Sequence, residues 1–217
     1  IDFNWTICDG DIAALPPDSL LYDLSFGEEK VDVAVPKSVS APTTSVEVML
    51  HQLQGYGAQE AFARETADSL EAVLNSAKFK SVVLDTKFEY HNLGLTSQQI
   101  YEKIMLAREE DGPGGKDRVL DLRLRTITLQ EDGRYWINAC NRSTIGIDGS
   151  GSGISAVCPN WLTSTAESKH YSWLAAHFIH EYMHLLNFRH PDNKSESVPY
   201  KIHAIVENLL EDSEMRR

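Results

Sequence analysis

Between Ala58 and Ala77 the apolar residues Ala61, Phe62, Leu70, Val73 and Leu74 recur at helical spacing among Glu60, Arg64 and Glu71. That period predicts a long amphipathic helix backing a sheet. Thr96 or Ser97 caps a second helix, which runs through Gln98–Leu106 to about Arg108 and is ended by Asp111-Gly112-Pro113-Gly114-Gly115. Ser81–Tyr90, with Val82, Val83, Leu84 and Phe88, fits either a strand or a helix. From Val119 to Leu129 apolar positions alternate with Asp121, Arg123 and Arg125, which predicts a strand with one solvated face. Arg134–Ala139 and Ile154–Val157 read as two further strands. Gly146–Gly153 between them reads as a mobile connection, and it lacks the spacing of a phosphate loop. Ser168–Leu186 forms a helix, and Val198-Pro199-Tyr200 leads into a last one with Ile202, Ile205, Val206, Leu209 and Leu210 as its buried stripe. At the other end, Leu20–Phe26 and Val31–Val35 flank Gly27-Glu28-Glu29-Lys30 as a hairpin would, and Pro36–Ser45 reads as a linker. Residues 1–45 are therefore expected to be an N-terminal extension and residues 46–217 the main domain.

The chemistry concentrates in the helix before residue 190. His180 and His184 stand four apart, one above the other on a helix, so their imidazoles can converge on one ion. Glu181 lies at the edge of that face, where a carboxylate reaches a water on the ion without being a ligand. Asn187 tolerates the left-handed conformation that ends helices, and the turn it allows brings back His190 as a third ligand. Three neutral imidazoles suit Zn²⁺ and leave a fourth position open, which makes the site catalytic in type, with Glu181 as general base. Tyr200 is a candidate oxyanion donor, or else packs its ring under the site. His177, one turn before His180 and Glu181, reads as a packed or supporting residue rather than a ligand.

Composition narrows the partners. The 217-residue chain carries a formal charge of −12, which disfavours nucleic acid and anionic membrane surfaces. No apolar run has the length of a membrane span. Cys140 and Cys158 bracket the Gly- and Ser-rich loop and can close it with a disulfide, leaving Cys8 unpaired; none has the spacing of a structural zinc site. Asn4-Trp5-Thr6, Asn141-Arg142-Ser143 and Asn193-Lys194-Ser195 match the glycosylation sequon. The expectation is an exported monomer with its signal removed, acting on a protein or peptide substrate.

His180 to His190 resembles the extended zinc signature of the metzincin metallopeptidases, H-E-x-x-H-x-x-G-x-x-H, with Asn187 where that family has Gly. Metzincins also have a Met-containing turn beneath the zinc. Here the only downstream Met is Met215, and Val198-Pro199-Tyr200 occupies the stretch where such a turn belongs. The pattern from Gly94-Leu95-Thr96 through Ser197-Val198-Pro199-Tyr200 is similar to a loosely characterised group of zincin-like metallopeptidases. The resemblance implies an α+β fold: a twisted, mainly antiparallel or mixed sheet with backing helices above, the motif helix beneath, and a small C-terminal lobe. It implies zinc-dependent hydrolysis of peptide bonds, with the substrate added to an edge strand, for which Ile154–Val157 is the candidate. The gluzincins resemble the H-E-x-x-H portion as well and take a later Glu as third ligand. Glu207, with Glu211 one turn on, is the rival to His190 on that reading. A zinc-binding interaction module and a zinc hydrolase of non-peptide amides are the alternative functions.

Overall fold

A computed structural model describes residues 45–109, 118–140, 146–149, 154–190 and 195–214. The expected N-terminal hairpin and linker, Cys8, the asparagines of the three sequons and Met215 lie outside the described residues.

The main domain begins with strand β1 (Glu47–Gln54), followed by helices α1 (Glu60–Leu74), α2 (Ala77–Asp85) and α3 (Ser97–Leu106). Helix α2 takes the first half of the ambiguous Ser81–Tyr90 stretch, to Asp85, and the rest is neither helix nor strand apart from an isolated bridge at Tyr90. Ser76 caps it by accepting the Phe79 amide at 3.0 Å, and Phe79 and Val83, four apart, are fully buried. At the start of α3, Thr96 and Gln99 form a reciprocal capping box. The chain continues through β2 (Val119–Thr126), α4 (Leu129–Cys140), β3 (Gly146–Gly149) and β4 (Ile154–Val157). Helices α5 (Pro159–Glu167), α6 (Tyr171–Leu185) and α7 (Val198–Glu214) complete it.

The four strands form one sheet in the order β1-β2-β4-β3. β1 pairs with β2 and β2 with β4 in parallel, whereas β3 runs antiparallel to β4. The fold is thus mixed α and β; of the mainly antiparallel or mixed sheet expected, the antiparallel form is overturned, since the sheet is mainly parallel with only β3 antiparallel. The cause is local. Arg134–Ala139 is not a strand but the second half of α4, so the chain from β2 to β4 makes a crossover, and a crossover leaves the flanking strands parallel. At the start of α4 the Thr128 hydroxyl accepts the Glu131 amide at 3.2 Å, while the Asp132 carboxylate accepts the Thr128 amide at 2.8 Å. Trp136, Ile137 and Cys140 then fall on one helical face against Ile127, Ala156 and Cys158. Gly133, at φ 77°, kinks the helix where other residues would be strained.

Two further expectations are corrected. The polar face of β2 is less solvated than expected: Asp121 is only 4 % exposed, and Arg123 and Arg125 are half-buried. Burial is tolerated because the Asp121 carboxylate engages His51 on β1, and Arg125 on the same strand binds Asp132 at 2.6 Å. β4 is not the sheet edge; β3, from the stretch read as a mobile connection, occupies it. The expected disulfide is present. Cys140 and Cys158 are bonded with their Cα atoms 5.4 Å apart, tying the end of α4 to the end of β4.

α6 is the spine of the core. Leu174, Ala175, Ala176, Phe178, Ile179, Tyr182 and Met183 are all fully buried. α7 lies along it and also touches α1 and α2, with Val198, Ile202, Ile205, Val206 and Leu210 in the same apolar cluster. The residues after the motif therefore share the domain's core and do not form a separate C-terminal lobe.

Candidate metal centre

α6 carries the first two histidines, and its C-terminus supplies the third by a specific turn. The Phe188 amide donates to the Met183 carbonyl and the Asn187 amide to the His184 carbonyl, both at 3.0 Å. Asn187 sits at φ 65°. This is the Schellman arrangement, and Asn is one of the few side chains that accept its left-handed residue. Once the chain has turned, His190 faces back towards α6.

His180, His184 and His190 are brought together as expected, with one ligand atom from each lying within 4.8 Å of the others. Their ring centroids form a near-equilateral triangle of 5.3, 4.9 and 5.1 Å. The Nε2 atoms of His180 and His190 are 3.1 Å apart. Two nitrogens each about 2.0–2.1 Å from a tetrahedral zinc ion would stand roughly 3.3 Å apart, close to this separation. The turn also orients His184. Its Nδ1 is 2.8 Å from the Phe188 carbonyl, which can only accept, so Nδ1 carries the proton and Nε2 keeps its lone pair. The donor set fits a cation.

Electrostatics favour the neutral, ligating form of the imidazoles. Burial, with smaller contributions from neighbouring histidines, lowers His180 to about 2. Burial lowers His184 to about 4, against the opposing effect of the Phe188 carbonyl. His177 is lowered to about 3, again chiefly by burial.

Glu181, next to His180 on the helix, is only 7 % exposed, and its Oε1 lies 3.5 Å from Nδ1 of His177. Tyr200 is not on a return loop but in the first turn of α7, with its ring 4.8 Å from that of His180 and 4.7 Å from that of His190. Glu207 does not join the histidine triad. Its carboxylate is 3.6 Å from Nε2 of His203, and burial followed by repulsion from Glu211 raises its pKa. Among the described residues, the group with metal-ligand geometry is the one containing His190.

Sequence reasoning missed His203, whose ring lies 5.7 Å from that of His180 and which hydrogen-bonds the Ala176 carbonyl of α6. The available signal was its spacing: three residues after Tyr200 and four before Glu207 on one helix. It also missed Tyr182, within the motif itself. The Tyr182 hydroxyl leaves the metal face and donates to Glu109 Oε1 at 2.7 Å, an atom that also accepts the Asp121 amide at 3.1 Å.

Compared with known protein families, with curated proteins and with solved structures, the chain matches none. No described helix is long and apolar enough to cross a membrane.

Proposed function

We propose that this chain is a zinc-dependent metallopeptidase that hydrolyses peptide bonds with Glu181 as general base. The observation that carries the reading is the convergence of His180, His184 and His190 beside a buried Glu181 on one helix. Zinc, when bound there, would acidify a water and polarise a carbonyl. Glu181 would take the proton from the attacking water and pass it to the leaving amine. The Tyr200 hydroxyl would donate to the developing oxyanion, its ring held in place by the His180 and His190 imidazoles. β3, at the sheet edge and antiparallel to its neighbour, offers its outer side to an extended peptide. The resemblance of His180–His190 to the metzincin signature supports the same chemistry. Export is supported by the Cys140–Cys158 disulfide, since such bonds persist in oxidising compartments.

The test is digestion of a proteome-derived peptide library by purified protein, with bound metal measured in parallel. A chelator should stop cleavage and added zinc restore it. Glu181→Gln should lower turnover by about 10²–10⁴-fold while retaining zinc. Cleavage that persists in chelator contradicts the reading. A zinc-loaded protein that cleaves no peptide points instead to an interaction module or to a hydrolase of non-peptide amides.

A further inference from the structure

His177 lies one helical turn before Glu181, so the two side chains stack along α6, with only 5 % and 8 % of their surfaces exposed. The imidazole Nδ1 faces Glu181 Oε1 at 3.5 Å. A neutral imidazole donates from one nitrogen and accepts at the other, and a carboxylate only accepts. A proton on the nitrogen turned to Glu181 makes this contact attractive.

The ring is confined on its other sides. Trp161 meets it edge-on at 5.8 Å, and β3 lies against it with a glycine at the contact. A Cβ at Gly146 would fall 2.3 Å from His177 Cε1, 2.6 Å from Nε2 and 2.5 Å from the Ala156 carbonyl oxygen. Gly146 is thus required by the close approach of strand and imidazole. Among the described residues, His177 Nε2 is buried with no hydrogen-bond partner. An unpartnered buried polar atom is destabilising, a cost that a leucine or phenylalanine filling the same space would avoid. A purely space-filling role does not account for a histidine here, whereas a donor aimed at Glu181 does.

We propose that His177 is a positioning residue for Glu181: wedged between Gly146 of the edge strand and the Glu181 carboxylate, it holds that carboxylate in place through Nδ1–H. This inference rests on the peptidase reading above, and it connects the sheet edge to the general base through a single side chain. His177 is not among the residues whose ligand atoms converge for a metal.

Asparagine and glutamine separate the donor role from packing, because Asn places its amide N–H near the position of His Nδ1 and Gln places it near Nε2. Three variants are compared in the zinc-loaded protein: His177→Asn, His177→Gln and His177→Leu. The readouts are bound zinc, kcat and KM separately, and the affinity of a peptidyl hydroxamate, whose proton must pass to Glu181 on binding. All three variants should retain zinc. His177→Asn should stay within about threefold of the parent in kcat and hydroxamate affinity, whereas His177→Gln and His177→Leu should lose about 10–100-fold in both with KM little changed. In a Glu181→Gln background the His177→Gln change should cost nothing further. If His177→Leu fails to fold, the Asn and Gln pair carries the comparison. Equal losses for Asn and Gln, or parent-like behaviour of Gln, overturn the proposal while leaving the peptidase reading intact. A parent protein that neither cleaves peptides nor binds the hydroxamate overturns both.

Discussion

Two partly buried polar clusters touch the same helix on different faces and are built on opposite principles. On one face, the ring nitrogens of His180, His184 and His190 converge, and burial favours the neutral, ligating form of His180 and His184. On another, Tyr182 leads to Glu109, Asp121 and His51, where carboxylates meet the donors they need: a phenol, a backbone amide and an imidazole. Among the described residues, Glu109 Oε2 is buried there without a partner. Buried polar groups are normally satisfied within the protein, so a converging surplus of lone pairs marks a place for a cation. In the second cluster protein donors meet Glu109 Oε1 and Asp121 Oδ1. That cluster anchors α6 to the sheet.

Substitutions should separate the two clusters, and the largest effect is expected on the open one. His184→Ala should lower zinc affinity on the order of a thousandfold, measured by competition with a chelating dye, while α6 remains anchored through Tyr182. Tyr182→Phe should do the reverse. It removes the phenolic donor from Glu109 and should cost about 1–3 kcal/mol in denaturant unfolding, with zinc stoichiometry unchanged. Loss of zinc in Tyr182→Phe would show that the two clusters are not independent.

The smallest expected effect concerns pH. Burial raises the Glu109 carboxyl above its ordinary range, against the opposing hydrogen bonds from Tyr182 and Asp121. A raised carboxyl binds more protons in the folded state. Its favourable contribution is therefore fully present below the unfolded value of about 4.3 and lost as pH rises through the folded one. Glu109→Gln does not titrate and keeps one oxygen to accept both donors. Its stability relative to the parent should rise as pH is raised across that interval, seen as converging or crossing unfolding midpoints. A difference that is flat with pH would contradict this.

What could be read from the sequence was whatever local rules enforce. The four-residue step from His180 to His184, the left-handed tolerance of Asn187 and the Thr96–Gln99 capping pair each act within one or two helical turns, and each has its expected geometry. The Cys140–Cys158 pairing was legible because two cysteines bracket one loop. What failed depended on distant partners. Asp121 looked solvated because its partner, His51, is 70 residues away in sequence. Trp136 and Ile137 looked like strand residues because the apolar face they cover, Ile127 with Ala156, lies on both sides of them in sequence. That single misreading of α4 carried over into the parallel order of β2 and β4 and into the place of β3 at the edge. The spacing of His203 puts it on one helix face with Tyr200 and Glu207, but the contact of that face with His180 depends on the packing of α7 on α6.

The most direct test of the central claim, that His180, His184 and His190 together hold zinc, is the metal content of purified parent protein and of His190→Ala, read alongside Glu207→Ala. The account predicts one zinc ion per chain in the parent and in Glu207→Ala, and none retained through dialysis in His190→Ala. Full zinc retention without His190, or its loss without Glu207, would contradict it.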